Sequence, residues 1–344
     1  MSVLRSQQLD GLLKGTSRSF YLTLRVLPGR IRNQIGLAYL LARTTDTIAD
    51  TELVPLDQRL KALQALRSRI LGSGQTDPDL GELSQRQTLP AEQALLKRVS
   101  ETLAMLDFLG ADDLKLIREV LQTISSGQEL DLRRFAGGSP EHLVALQTEE
   151  ELDDYTYRVA GCVGEFWTKM CRAHLFRTLP LDDSFLLAHG VRFGKGLQLV
   201  NILRDLPVDL QNGRCYLPSA ALVGAGLNPA DLLKPANEPR LRPIYDRFLA
   251  QAEDHLRAGW TYTNALPRRA VRVRLACAWP LLLGFRTVEM LRSANVIDPR
   301  KRVKVSRPEL KRMMVRSVLL YPFPSAWRRM LPLPAESHSS SSRF

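Results

Sequence analysis

The sequence is poor in cysteine and histidine, and this scarcity narrows the chemistry open to it. Its 344 residues include four cysteines and five histidines. No two cysteines form a CxxC pair, and none stands at metal-ligand spacing from a histidine. We therefore expect reduced cysteines packed in a core, and no zinc site.

Long apolar runs are missing as well. No stretch reaches the ~18–20 apolar residues that span a bilayer. The N-terminal sequence MSVLRSQQLDGLLKG lacks the apolar centre of a secretory signal. These two absences predict a cytoplasmic protein.

Acidic residues are scarce in one region. The net charge is +12, and residues 266–334 hold sixteen lysines and arginines against three acidic residues, a local net charge of +13. Such a region suits anionic lipid, a phosphorylated ligand, nucleic acid or plain solvent. It contains no GxGxxG, and the chain has no zinc-finger or RNA-recognition signature. We therefore expect neither a Rossmann site nor a nucleic-acid partner.

Helical periodicity dominates the chain, and alternating strand patterns are missing. We predict an all-α fold, a single-domain helical bundle around a central cavity. The predicted helices cover residues 28–49, 55–73, 91–109, 111–135, 140–176, 182–206, 239–265 and 269–295, with a loop over 74–90. The predicted organisation is a catalytic domain over 1–310, a basic and apolar segment over 311–335 and a disordered tail over 336–344.

Two acidic boxes carry the strongest functional signal. Asp46 and Asp50 end one apolar helical stretch, and Asp205 and Asp209 end another. Carboxylates four residues apart share a helix face and repel each other unless a cation or a basic partner holds them. Oxygen-only ligation favours Mg²⁺, with Mn²⁺ as the alternative, over zinc. Pro207 inside the second box predicts a kinked helix in which Asp209 lies off the ideal position four residues after Asp205.

Arginines accompany both boxes. Arg43 and Arg204 precede them, and Arg18 and Arg214 lie in the polar segments TSRSF and NGR. The guanidinium fork matches phosphate oxygens, so arginines beside paired carboxylates favour a magnesium-bridged diphosphate. Any one of these arginines also fits an ordinary surface position; their coincidence with two boxes supports the functional interpretation.

Small residues follow a pair of tyrosines in the middle of the chain. Tyr155 and Tyr157 precede the stretch VAGCVG over 159–164. Such a stretch suits either close helix packing or room for a ligand chain.

Four segments together resemble the squalene/phytoene synthase family of head-to-head prenyl transferases. They are TSRSFYLTLRVLP (16–28), YLLARTTDTIAD (39–50), YTYRVAGCVGEF (155–166) and LQLVNILRDLPVDLQNGRCYLP (197–218). The matching pieces cover most of residues 15–310. The resemblance implies an all-α enzyme with both boxes on one cavity, which joins two prenyl diphosphates, expected to be farnesyl diphosphate.

The resemblance also implies residue roles. The four aspartates of the boxes are the implied metal ligands. The residues implied at the reacting centre are Tyr39, Tyr155, Arg43 and Arg204. The implied substrate-binding residues are Ser17, Arg18, Ser19, Phe20, Gln198, Asn201 and Arg214.

Two late segments resemble those of squalene synthases. Residues 277–280 (CAWP) resemble their Cys-Ala-x-Pro segment, and residues 303–307 (VKVSR) their basic stretch associated with NADPH. The resemblance therefore implies a squalene synthase that reduces presqualene diphosphate with NADPH, with Pro280, Lys304 and Arg307 at the cofactor site. The alternative within the family stops at presqualene diphosphate, or makes dehydrosqualene or phytoene, without reduction.

Two other classes of protein stay open. One is a non-catalytic relative that binds a prenyl diphosphate or a partner subunit. The other is a basic membrane-surface or nucleic-acid-binding protein whose acidic boxes are incidental. Residues 317–334 mix Leu, Tyr, Phe and Trp with arginine, which suits either a peripheral membrane contact or a packed final helix.

Overall fold

The computed structural model describes residues 3–17 and 20–331, with the backbone alone for residues 3–9 and 20. Helices form nearly all regular structure in this part, as predicted. The first half contains α1 (Val3–Thr16), α2 (Phe20–Val26), α3 (Gly29–Asp50), α4 (Leu56–Leu71), α5 (Gly81–Arg86), α6 (Pro90–Lys97), α7 (Val99–Leu103) and α8 (Ala111–Arg134). The second half contains α9 (Glu149–Thr156), α10 (Cys162–His174), α11 (Asp183–Gln211), α12 (Ser219–Val223), α13 (Glu238–Ala265), α14 (Val271–Ser293), α15 (Arg307–Leu320) and α16 (Pro324–Arg328).

Two very short strands complete the fold of the described residues. β1 (Val144–Ala145) pairs in parallel with β2 (Arg214–Cys215), with Val144 opposite Arg214. Successive residues of an extended strand point to opposite sides. Cys215 is therefore buried in the core, while Arg214 and Tyr216 turn together toward a central cavity.

Several predicted boundaries were wrong. The predicted loop over 74–90 contains α5, because Leu80 and Leu83 are buried and packing stabilises a helix too short to form alone. The predicted helix over 91–109 is divided into α6, α7 and a turn. The predicted helix over 140–176 begins only at α9, because β1 pairs with a strand seventy residues away in sequence.

The predicted end of α11 at residue 206 was also wrong. The helix continues through Pro207 to Gln211, so Asp209 stays on the helix four residues after Asp205. Proline has no N–H to donate to the carbonyl of Leu203, four residues earlier. The Tyr245 hydroxyl of α13 donates to that carbonyl instead, at 2.9 Å. A neighbouring side chain thus replaces the missing backbone bond.

Close packing of α10 on α11 depends on the small residues between 159 and 164. A Cβ on Gly164 would lie 1.8 Å from the carbonyl oxygen of Gly190, and one on Gly194 would lie 2.0 Å from that of Ala160. Larger residues would push the two helices apart. The four cysteines are buried and free, as predicted. In the described part of the chain, no helix combines the length and the apolarity that crossing a membrane requires.

Candidate active site

An apolar cavity of about 300 Å³ lies between α3, α10, α11 and α14. Aromatic and aliphatic side chains form most of its wall, with the small residues of α10 and α11 providing space. Its wall includes Ile35, Tyr39, Ala160, Gly164, Phe166, Trp167, Phe193, Leu197, Gln198, Asn201, Tyr262, Cys277 and Pro280. The small residues over 159–164 therefore allow close helix packing and also leave space for a ligand, the two alternatives that the sequence left open.

An acidic cavity adjoins the apolar one, and a polar cavity adjoins the acidic one. The acidic cavity, of about 340 Å³, shares Tyr39 and Gln198 with it. The remaining polar wall of the acidic cavity is formed by Arg43, Asp46, Asp50, Gln128, Asp131, Tyr155, Arg214 and Tyr216. The polar cavity, of about 230 Å³, shares Asp131 and Arg214 with the acidic cavity. The walls of the three cavities thus change in order from apolar to charged to polar.

The first box is held by a salt-bridge network. Arg43 pairs with Asp46 and with Glu92 of α6. Burial alone lowers the pKa of Arg43, but the two carboxylates outweigh it and raise the pKa. Burial raises the pKa of Asp46, and burial together with Asp46 raises the pKa of Asp50 to about 7. Among the described residues, Asp50 has no ion-pair partner.

The second box has a simpler arrangement. Arg204 binds the adjacent Asp205 through both nitrogens of its fork, with Nε donating at 2.9 Å. Burial and the neighbouring Asp205 raise the pKa of Asp209 to about 7. The positive charge of Arg214 counteracts this increase at both Asp50 and Asp209, so Arg214 acts on both boxes.

Carboxylates of both boxes contribute to the pKa of Tyr155. This tyrosine is buried, and burial raises its pKa well above 10, with further contributions from Asp46 of α3 and Asp209 of α11. The charges of the two boxes thus reach one tyrosine from different helices, but only the aspartates of the first box line the acidic cavity, and Asp205 and Asp209 line none of the three cavities.

The oxygen donors fit a divalent cation that is shared with a ligand. Burial and a neighbouring carboxylate raise the pKa of both Asp50 and Asp209, and the nearby arginines offset this increase only in part. Within the ranges that the structure describes, no three carboxylate, histidine or cysteine groups are placed to hold a metal by themselves. Magnesium commonly takes one or two carboxylates and completes its shell with water and phosphate oxygens, so each box supplies part of a shell.

A hydrogen-bonded chain of three residues forms another part of the wall. Tyr155 stacks on Tyr216 with ring centroids 4.9 Å apart, and the hydroxyl of Tyr216 donates to Asp131 at 2.9 Å. Burial raises the pKa of Asp131 to about 6. Four residues near the boxes were not predicted from the sequence: Asp131, Tyr216, Gln128 and Glu92. Tyr216 alone had a signal, since it lies in the segment NGRCYLP beside Arg214.

The predicted substrate-binding residues are distributed unequally. Gln198 and Asn201 of α11 line the apolar cavity. Ser17 is buried and donates to the carbonyl of Leu13, outside the three cavities. Arg18 and Ser19 lie outside the described residues, and Phe20 is described by its backbone alone.

The predicted cofactor residues are not gathered in one place. Pro280 lines the apolar cavity, whereas Lys304 and Arg307 are exposed and line none of the three cavities. Pro280 and Thr23 also border a small side cavity of about 80 Å³, whose other wall is Leu310 and Met314 of α15. Arg307 is the first residue of that helix.

The fold and the site define an all-α enzyme of the isoprenoid-synthase type. Comparison with known proteins is more specific. Residues 13–309 match the model of the squalene/phytoene synthase family, and the chain therefore belongs to this family of head-to-head prenyl transferases.

Named relatives differ in length and product. A bifunctional lycopene cyclase/phytoene synthase of Colletotrichum graminicola is 32% identical over 74% of this chain and 41% of its own length. The chain thus spans about two fifths of such bifunctional relatives. A presqualene diphosphate synthase of Rhodopseudomonas palustris is 28% identical over 84% of this chain and 88% of its own length. The structure of TcSQS with the ligand BPH1237 has the same fold, with a TM-score of 0.74 at 20% identity over 95% of this chain and 89% of that one.

Proposed function

We propose that the protein condenses two molecules of farnesyl diphosphate head to head, forming presqualene diphosphate. The observation that carries this proposal is the junction of the apolar cavity with the acidic cavity. It matches a ligand with a hydrocarbon chain and a diphosphate head. The presqualene diphosphate synthase aligned over most of both chains supports the same product.

In this proposal, arginines bind the diphosphate directly and aspartates bind it through a metal ion. Arg43 and Arg214 line the acidic cavity and would bind its oxygens there, and Arg204, which is paired with Asp205, would exchange that carboxylate for phosphate. The four aspartates of the boxes would hold Mg²⁺, which supplies positive charge to the departing diphosphate. Tyr39 lies where the two cavities meet, so its ring can steady the allylic cation. The apolar wall excludes water that would capture this cation.

Reduction to squalene by NADPH is the second candidate. The observation that favours it is the side cavity beside Pro280, which is closed by α15 with Arg307 at its first turn. Lys304 and Arg307 would bind the phosphate of the cofactor from the surface.

A product assay tests both candidates. Purified protein is incubated with farnesyl diphosphate and Mg²⁺, with and without NADPH, and products are identified by mass spectrometry. Presqualene diphosphate without NADPH supports the condensation, and squalene only with NADPH supports the reductive step. Geranylgeranyl diphosphate in a parallel incubation tests the substrate length. Absence of turnover with either substrate contradicts the proposal and favours a non-catalytic relative.

The proposal includes peripheral contact with an anionic bilayer through α15. Residues 315, 318 and 319 share one face of this helix, and Leu319 and the following Phe323 are 66% and 62% exposed. Lys311, Arg312 and Arg316 are exposed on the same helix, without ion pairs in the described part of the chain. The buried Trp327 packs on Trp260 of the core. The segment that follows α15 is therefore packed on the core, while an apolar face of α15 stays exposed. The side cavity beneath α15 shares Thr23 and Pro280 with the apolar cavity, so α15 lies near the space proposed for the hydrocarbon chains.

Vesicle sedimentation tests this contact. We expect binding to vesicles containing phosphatidylserine, little binding to phosphatidylcholine alone, and loss of binding at high salt. The double substitution Leu319→Ser with Phe323→Ser should weaken binding roughly tenfold. Val223→Ser is the matched control, because Val223 is 71% exposed on α12. Equal binding of all variants contradicts the role of α15.

A further inference from the structure

A line of hydrogen bonds leads from the wall of the acidic cavity to a carboxylate with no role in the proposal above. The hydroxyl of Tyr155 donates to the oxygen of Tyr216 at 3.4 Å, and Tyr216 donates to Oδ2 of Asp131 at 2.9 Å. Tyr216 is held between the stacked ring of Tyr155 and the edge-on ring of Phe135, whose centroid lies 5.0 Å away. Packing therefore fixes the order of the three oxygens.

Asp131 occupies the far end of this line. It borders both the acidic cavity and the polar cavity, where its neighbours include Asn212 and Arg214. Its Oδ1 atom is buried and has no hydrogen-bond partner in the described part of the chain. A buried carboxylate oxygen without a donor is costly, and a proton on the group removes that cost.

We propose that Tyr155, Tyr216 and Asp131 form a proton relay, which takes up the proton lost when the cyclopropane ring closes. This inference rests on the proposed condensation. There, the C–O bond of one farnesyl diphosphate breaks, and diphosphate leaves with the electron pair. The double bond of the second molecule attacks the allylic carbon and leaves a tertiary cation. The electron pair of a C–H bond then closes the ring, and its proton departs.

The relay moves this proton without charging a phenol. The oxygen of Tyr155 accepts it while the hydroxyl proton of Tyr155 passes to Tyr216, and that of Tyr216 passes to Oδ2 of Asp131. Both phenols end neutral, and the Asp131 carboxylate becomes an acid. Burial holds the pKa of both phenols well above 10, which keeps them neutral. Burial raises the pKa of Asp131 to about 6, so at neutral pH it returns the proton to the polar cavity.

Four groups set the charge around Asp131. The hydrogen bond from Tyr216 and the charges of Arg214 and Arg134 lower its pKa, and the charge of Asp46 raises it. Tyr216 and Asp131 act in the relay through Tyr155, which lines the acidic cavity together with Tyr39. Their substitution should therefore alter the fate of the cation more than its formation.

A single-turnover experiment separates these two stages. Magnesium-saturated enzyme is mixed with farnesyl diphosphate, and released diphosphate and organic products are measured together for wild type, Tyr216→Phe and Asp131→Asn. We expect diphosphate release within about threefold of wild type, while presqualene diphosphate falls at least roughly tenfold and alcohols from water capture rise. Tyr157→Phe is the matched control, because it removes a phenol–carboxylate bond to Glu165, of 3.3 Å, outside the three cavities.

A pH profile supplies the second readout. Ring closure in wild type should slow below about pH 6, and Asp131→Asn should lack this dependence. An unchanged product ratio in Tyr216→Phe overturns the relay. An equal loss of diphosphate release and product also overturns it, since that result assigns the residues to ionisation. Tyr216→Phe keeps the ring that stacks on Tyr155. If Asp131→Asn does not fold, the product ratio of Tyr216→Phe alone tests the relay. Absence of diphosphate release from wild type overturns the condensation and the relay together.

Discussion

The two acidic boxes have the same local sequence pattern but different surroundings. Arg43 of the first box is held by Asp46 and also by Glu92, which is buried on a separate helix. Arg204 of the second box is held only by Asp205, its neighbour in sequence, within the described part of the chain. The first arginine is therefore fixed by the tertiary structure, whereas the second is free to exchange partners.

The helices that carry the boxes differ in a similar way. The helix α3 ends at Asp50 with its own backbone pattern intact, whereas α11 passes through Pro207 and depends on the Tyr245 hydroxyl of α13. We infer that the first box gives a rigid anchor for the diphosphate, and that the second adjusts as ligand binds. Four experiments on the boxes and the helices that carry them test this difference.

The largest expected effect is on turnover. Asp46→Asn and Asp205→Asn each remove one carboxylate from a box, and both should reduce kcat at least roughly 100-fold with little change in Tm, because each box stabilises the departing charge. The assay is product formation from farnesyl diphosphate at saturating Mg²⁺. Asp57→Asn, an exposed carboxylate on α4, is the control. Activity within twofold of wild type in either box variant contradicts a catalytic role for that box.

Substitution of the arginine in each box should show which of the two stabilises the fold and which mainly binds substrate. Arg43→Gln leaves the buried Glu92 without its cation and should lower the free energy of unfolding by about 3 kcal/mol. Arg204→Gln should lower it by about 1 kcal/mol or less, and mainly raise KM. Urea denaturation measures both. Adding Glu92→Gln to Arg43→Gln should recover most of the lost stability; no recovery means that Arg43 stabilises the fold in another way.

The hydrogen bond at Pro207 can be tested by a double-mutant cycle. Tyr245→Phe leaves the carbonyl of Leu203 unsatisfied and should cost about 1–2 kcal/mol of stability. In a Pro207→Ala background the cost should be smaller, because the alanine N–H then donates to the same carbonyl. Thermal unfolding of the four proteins gives the coupling free energy. An equal cost of Tyr245→Phe in both backgrounds would show that its hydroxyl does not replace the missing backbone bond.

The sequence predicted the parts of this molecule that depend on local pattern. The all-α class follows from helical periodicity, and the paired aspartates and flanking arginines follow from spacing along α3 and α11. Resemblance to a known family added the implied roles of these residues and of the tyrosines. The predicted end of α11 at Pro207 failed because the local rule for proline takes no account of a donor on another helix.

Residues that act through long-range contacts could not be predicted in this way. Glu92 meets Arg43 across 49 residues, Asp131 meets Tyr216 across 85, and Tyr245 meets Leu203 across 42. Each lies on a helix where its residue type is ordinary. Only the packing of the bundle brings these groups to the boxes, so no spacing in the sequence marks them.

The smallest expected effect is on the pH dependence of stability without metal. In the folded protein, burial and a neighbouring carboxylate raise the pKa of Asp50 and of Asp209 from 3.8 to about 7. Between these values the folded state binds more protons than the unfolded state, so the free energy of unfolding falls as pH rises from about 4 to 7.

Because solvent in the cavity screens these charges, Asp50→Asn and Asp209→Asn should each raise stability at pH 8 by only roughly 1 kcal/mol, while abolishing activity. The measurement is urea denaturation in EDTA at pH 5 and pH 8, repeated with Mg²⁺ and inorganic pyrophosphate, which should flatten the wild-type dependence. A gain in only one variant would show that repulsion is concentrated in that box. An unchanged pH dependence in both would contradict the crowding of carboxylates on which the shared cation site is based.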